Sequence, residues 1–333
     1  MQQQYKCSRQ QKRADFRHFD LVNGVTSPKK TEFLENLVSL DALFSHNQLC
    51  KMTFAVCPLS VVAVRSHPSQ RSEMVSQLLL GELVEIMEEK GRAWAKVRCV
   101  WDDLVGWAAT NQLMPVTPTE YEDYRQHFAM SLELLQAASS NDHFLPIPLG
   151  AQLPIFDGIR FRLGEREYAF SGQAITPGAG ASSREMLVKL ARRYLHTPFL
   201  WGGRSPMGID AAGLVQMAFK LCGFRLPRTA DKQVFEGENI DFTEQAQPGD
   251  VAFFENNLGR VVHCGIILPD NKIMHAFGKV RIDLFDHYGV YDEESKKYSH
   301  RLRVIKSLLP PLVETPAAWK EKSEPAVNQI ALF

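Results

Sequence analysis

The chain has 333 residues, enough for two or three compact domains, and an ordinary globular composition with 45% hydrophobic and 23% charged residues. Lys and Arg number 38, as do Asp and Glu, so the formal net charge is zero. That balance gives no electrostatic reason to expect nucleic acid or an anionic membrane as partner.

In chain order, residues 1–50 read as a partly disordered segment with one short amphipathic helix over 31–44, where Phe33, Leu34, Leu37, Val38 and Leu43 recur at helical spacing. The first twenty residues are polar and basic, without the apolar stretch of a secretory signal, and no apolar run reaches the ~18 residues that span a bilayer. Residues 51–118 contain short β-rich runs (61–65, 83–87, 94–98, 106–109) separated by turn residues, which predicts a small β-barrel. A Glu-, Gln- and Leu-rich stretch predicts a helical connector over 119–143. A second β-rich stretch, 144–180 with its Pro/Gly-rich linker, predicts a second small barrel.

Over 181–308 the pattern changes to helices first and strands afterwards, the signature of an α+β domain. Ser182 and Glu185 form a capping-box pattern ahead of one helix, and Asp210 caps a second that stops at Gly223. Strands are expected at 251–255, 262–268, 273–277 and 301–306. Residues 309–333 are Pro- and Lys/Glu-rich and read as a loose tail. The six cysteines, at 7, 50, 57, 99, 222 and 264, show no paired spacing, so free thiols and a cytoplasmic setting are expected.

Several ordered motifs in this last region carry a resemblance. Thr197-Pro198-Phe199-Leu200-Trp201-Gly202-Gly203, Gly208-Ile209-Asp210-Ala211-Ala212-Gly213 and Leu226-Pro227-Arg228-Thr229-Ala230 come first. Pro248-Gly249-Asp250, His263-Cys264-Gly265-Ile266 and His275-Ala276 follow. Together, over residues 183–306, they resemble the NlpC/P60 family of papain-like cell-wall peptidases. The two small barrels resemble the bacterial SH3-like domains of its γ-D-glutamyl-L-diamino acid endopeptidase branch.

The resemblance implies hydrolysis of the γ-D-Glu–diamino acid bond in murein peptides that keep a free N-terminal L-Ala, with no cofactor. It places the nucleophile at position 211, at the start of the second helix, where a thiol loses its proton easily. His263 is then the base, and His275 the group that orients it. Asp210 and Glu73 are the implied carboxylates for the peptide amine, Trp201 an apolar wall, and Arg228 a fork for the D-Glu α-carboxylate. The sequence departs from the family pattern at three of these places. Asp-Cys-Ser-Gly is here Asp210-Ala211-Ala212-Gly213, and the usual tyrosine of the Pro-Tyr-x-Trp-Gly motif is Phe199.

Alanine has no nucleophile, and losing one costs about a millionfold in a comparable triad. Three readings follow: a cysteine peptidase whose nucleophile has been replaced, a pseudoenzyme that binds muropeptides or a protein partner, or a purely structural module. A metal site built from His263, Cys264 and His275 is not expected, because neighbours on a strand point to opposite faces.

Overall fold

The computed structural model describes residues 53–141, 143–177 and 183–309. The expected helix at 31–44, the rest of the N-terminal segment, most of the Pro/Gly linker and the tail beyond 309 lie outside the described residues.

Strands β1 (Thr53–Val56), β2 (Val61–Arg65), β3 (Met74–Leu79), β4 (Leu83–Lys90), β5 (Trp94–Cys99), β6 (Val105–Ala109) and β7 (Met114–Val116) form one sheet. Their order is β3-β2-β6-β5-β4-β1-β7. Alternation builds it: in β5 the buried residues are Ala95, Val97 and Cys99, and the residues between them are not buried. Val62, Val64, Leu78, Val84, Val97 and Ala108 meet in one core, so the sheet curls around it.

The expected connector is only partly helical. A helix runs over Pro118–Gln126, started by a capping box of Thr117 with Glu120 and by a proline at its first turn. Beyond it, β8 (Phe128–Ser131) and β9 (Leu135–Ser140) are strands. Helix-favouring residues in 132–140 yield to a hairpin, His143 to Pro148 pairing with Ser140 to Leu135.

The second β-rich region therefore begins at Phe128, not at 144, and it is two sheets rather than one. The first is β10 (His143–Pro148), β9, β13 (Arg166–Ala169) and β12 (Arg160–Leu163). The second is β11 (Gln152–Pro154), β8 and β14 (Ala174–Ile175). The two share a core that includes Ile147, Leu153, Phe161 and Phe170.

The C-terminal part opens with a helix over Arg184–Ala191. Its cap is Ser183, whose hydroxyl accepts from Met186 N at 3.1 Å. The expected cap at Ser182 is thus one residue early, and Ser182 itself lies outside the described residues. A short hairpin of β15 (Arg204–Ser205) and β16 (Gly208–Ile209) leads into the helix Ala211–Leu221, and a one-turn helix, Ala230–Gln233, follows. Then come β17 (Glu238–Ile240), β18 (Val251–Glu255), β19 (Val261–Leu268), β20 (Lys272–Phe277), β21 (Lys279–Phe285), β22 (Gly289–Asp292) and β23 (Lys297–Ser307). The order β17-β23-β18-β19-β20-β21-β22, with β22 pairing back to β23, closes a six-stranded barrel. β17, β21 and β22 were not expected.

The N-terminal sheets and the C-terminal part share a core and a polar seam. Leu79, Met130 and Leu149 pack with Leu187, Tyr194, Leu214 and Met217. Beside them Glu82, 2% exposed, accepts two bonds from Arg204 (2.8 and 3.0 Å) and one from Lys220 (2.5 Å). Burial opposes ionisation of Glu82, but the two cations outweigh it and pull its pKa down to about 2.

Candidate active site

The helix Ala211–Leu221 sets one wall of a cleft. Asp210 holds an extended backbone, and its Oδ1 accepts from Gly213 N at 2.7 Å, the hydrogen bond of an N-cap. A β-carbon on Gly213 would meet Gly203 O at 2.4 Å, so only glycine lets the helix start press against the Gly202-Gly203 loop. Ala211 is thereby the first helical residue, 5% exposed, and Ala212 beside it is 8% exposed.

The facing wall is the barrel edge of β19 to β21. His263 and Gly265 project to one face of β19, and Gly265 pairs with His275 on β20. A β-carbon at Gly265 would sit 3.0 Å from His275 Cβ, so the missing side chain is what lets His275 lean toward His263. His263 Nε2 and His275 Nδ1 are 2.8 Å apart, and His275 Nε2 lies 2.8 Å from Asp283 Oδ2. Arg281 donates two bonds to the other Asp283 oxygen, at 3.0 and 2.8 Å, and a third to Asp292 at 3.1 Å.

Burial opposes the charge on Asp283, but hydrogen bonds from His275 and Arg281 outweigh it and hold the carboxyl below its usual range. The anion fixes a proton on His275 Nε2. His275 Nδ1 must then accept, His263 must carry its proton on Nε2, and Nδ1 of His263 is left as the basic nitrogen. Burial, with His300 and His275 adding to it, pushes the pKa of His263 well down, so the ring is neutral at pH 7. A neutral imidazole held in one tautomer can take a proton from a nucleophile.

Sequence reasoning missed Asp283, Arg281 and His300. His275 pairs with Arg281, and Asp283 is two residues further on the same strand, so all three share a face; once β21 is recognised the alternation shows it. His300 stacks on His263 with centroids 4.0 Å apart and planes at 22°. Nothing in the local text marks it, because the contact is made across the barrel. One nitrogen from each of His263, His275 and His300 lies within 4.8 Å of the others, a set that could face a metal ion. Its two best-placed nitrogens are already joined by a hydrogen bond. Cys264 points away, fully buried, with its Sγ 3.7 Å from Gln233 Oε1.

Between the walls lies a cleft of about 310 Å³ lined by Glu73, Phe199, Trp201, Asp210, Ala211, Ala212, Arg228 and His263. It thus brings together every site residue read from the sequence except His275, which stands behind His263. The turn just before β3 contributes Glu73, whose Oε1 accepts from Trp201 Nε1 at 2.7 Å. Gly202 supports this contact: its φ is +74° and a β-carbon there would lie 2.3 Å from Met74 O.

Two expected roles change. Arg228, 2% exposed, donates bidentately to Asp210 (3.0 and 2.7 Å) and also to Ser76 Oγ (3.2 Å) and Gly203 O (3.2 Å). Its fork is spent inside the protein rather than offered to a ligand carboxylate. Asp210 in turn accepts from Gly202 N, Gly213 N and both Arg228 nitrogens, which fills its four acceptor positions. The pair is electrically balanced, so Glu73 and Asp231 are the carboxylates lining the cleft without a cation partner among the described residues.

The described cysteines, 57, 99, 222 and 264, are unpaired, and none lines the cleft. Burial raises all four thiols, Cys57 to about 12 and Cys222 to about 11. No described thiol can serve as a thiolate beside His263.

Comparison with known proteins agrees with this geometry. Residues 196–300 match the NlpC/P60 family, and residues 64–113 match the bacterial dipeptidyl-peptidase SH3 domain. Dipeptidyl-peptidase 6 of Lysinibacillus sphaericus is 28% identical over 62% of this chain and 85% of its own length. A gamma-D-glutamyl-L-lysine dipeptidyl-peptidase of Bacillus subtilis is 26% identical over 60% of this chain and 71% of its own. Among solved structures, an NlpC/P60 family protein from Bacillus cereus superposes with a TM-score of 0.67 at 19% identity. That match covers 77% of this chain and all of the other, and it shows the shared fold.

Proposed function

We propose that this chain, which carries an NlpC/P60 domain and a bacterial dipeptidyl-peptidase SH3 domain, binds short murein peptides with a free N-terminal L-Ala and leaves the γ-D-Glu–diamino acid bond uncut. The observation that carries the reading is Ala211 at the first position of the capped helix, lining the same cleft as His263. A peptide carbonyl held there meets a base but no nucleophile. Phe199, 40% exposed at the cleft, also supplies no hydroxyl to a developing oxyanion.

Glu73 is the group we assign to the peptide ammonium, because Asp210 is already neutralised by Arg228. The diamino acid is L-Lys or diaminopimelate, the first in line with the name of one relative. Residues 128–175 are read as a second, divergent SH3-like module whose core props the first sheet. The unpaired thiols support a reducing setting such as the cytoplasm, where peptides released from the wall are recycled.

Titration calorimetry with L-Ala-γ-D-Glu-L-Lys and its N-acetyl form tests the reading, with chromatography of the same mixtures. Binding of the free peptide, at least tenfold weaker binding of the acetylated one, and intact peptide afterwards are expected. Equal binding of the two forms, or none at millimolar concentration, refutes it, as does release of lysine that stops in His263→Ala.

A second reading keeps a working peptidase as the parent, with Ala211 standing where its cysteine was. The complete His263–His275–Asp283–Arg281 chain favours it.

A further inference from the structure

With Arg228 spent on Asp210, a bound γ-D-Glu peptide still brings carboxylates that need a cation. The cleft does not end at His263. Asp231, Val261 and Val262 line it and also line a neighbouring concavity of about 820 Å³. That second concavity holds Arg260, Arg303 and Lys306 against the single carboxylate Asp231. Its apolar surface includes Phe235, 83% exposed, and Val262, 54% exposed.

The three cations differ in how free they are. Arg303 sits 3.3 Å from Glu255 Oε2, and Glu255 also meets Arg301. Lys306, 9% exposed, donates to Gly237 O at 3.3 Å. Arg260 is exposed, and among the described residues its side chain makes no hydrogen bond or ion pair. Its backbone is nevertheless held. Asn256 Oδ1 accepts from Leu258 N (2.9 Å) and Arg260 N (3.1 Å), and Asn256 N donates to Arg260 O (2.9 Å). Gly259 supplies the left-handed turn, at φ +71°. The loop thus presents a guanidinium from a fixed backbone beside the cleft, with its donors unspent.

Resting on the peptide-binding reading above, we infer that this groove is a carboxylate subsite, with Arg260 as its main donor and Arg303 and Lys306 adding positive field. The occupant is a carboxylate of the bound peptide, either the D-Glu α-carboxylate or the terminal carboxylate of the diamino acid. Arg260 binds it as a planar fork, and the aliphatic stem beside the carboxylate lies on Phe235 and Val262. Peptides amidated at that carboxylate are therefore disfavoured.

The test pairs one substitution with three peptides: L-Ala-γ-D-Glu-L-Lys, its D-isoglutamine form, and its C-terminal lysinamide. Calorimetry on the unsubstituted protein and on Arg260→Ala and Arg260→Glu reads the coupling, and thermal melting checks that the variants stay folded. Arg260→Ala is expected to weaken the parent peptide by about tenfold and to leave one amide form unchanged; that form identifies the carboxylate. Arg260→Glu should cost more. Loss of the same factor from all three peptides, or from none, overturns the subsite while the cleft reading stands. Absence of binding by any peptide to the unsubstituted protein overturns both.

Discussion

The two walls of the cleft carry different things. The barrel wall holds a full polar chain, His263 to His275 to Asp283 to Arg281, each link within 3.0 Å. The helix wall shows Ala211, Ala212 and Phe199, with no group that reacts. Burial explains the asymmetry. His275 is fully buried and Asp283 nearly so, and removing one partner leaves another unpaired in low dielectric. A methyl in place of a thiol at the helix start leaves nothing unpaired. Folding alone can preserve a proton relay, so its persistence on one wall does not require chemistry on the other.

The largest expected effect comes from supplying what the helix wall lacks. Ala211→Cys should bring γ-D-Glu–Lys cleavage from undetectable to measurable, visible as released lysine and abolished by His263→Ala. Phe199→Tyr added to it should raise kcat a further ~10²-fold. Equal rates for the single and double variants would show that the missing hydroxyl is no deficit.

Next in size is a contrast between two glutamates on the same side of the domain seam. Glu82→Gln leaves Arg204 and Lys220 buried without their counter-charge and should lower unfolding stability by about 3–5 kcal/mol in urea titration. Glu73→Gln should leave that stability unchanged and weaken the free-amine peptide ten- to a hundredfold, roughly 1.5–3 kcal/mol for a charge-assisted bond. Parallel losses in both variants would merge the two roles.

The smallest effect concerns acid. Burial, with His275 adding to it, holds His300 neutral and lowers its pKa from 6.5 to about 4, with His263 displaced in the same direction. The unfolded chain then binds more protons, so stability is full above pH 6.5 and falls as the pH drops toward 4. His300→Phe keeps a ring beside His263 and should flatten part of that slope. An unchanged slope would place the sensitivity in other groups, His263 first and then Glu82, which titrates between about 4.5 and 2.

What the sequence disclosed and withheld follows from range. The Asp210 cap, the Gly223 stop and strand β18 are local signals, and they appear as read. The 119–143 connector misled because pairing across a hairpin overrode helical propensity in 132–140. His263, His275 and Ala211 were placed by motif order and Glu73 as the carboxylate implied for the first barrel, and the cleft gathers or backs them all. The bond of Arg228 to Asp210, 18 residues away, was not foreseen because no local rule shows it. The Glu82–Arg204 pair spans 122 residues and had no signature at all.

The Trp201–Glu73 contact has a practical consequence. The indole is 61% exposed, stands at the cleft, and gives its one N–H to the carboxylate assigned to the ligand amine. If the proposed ammonium binds at Glu73, it should change the electric field at the ring and make Trp201 an optical reporter of occupancy. The chain holds five tryptophans, and a difference spectrum against Trp201→Phe isolates this one. Emission would then follow the amine end of the peptide alone, blind to whatever the distant carboxylate is doing.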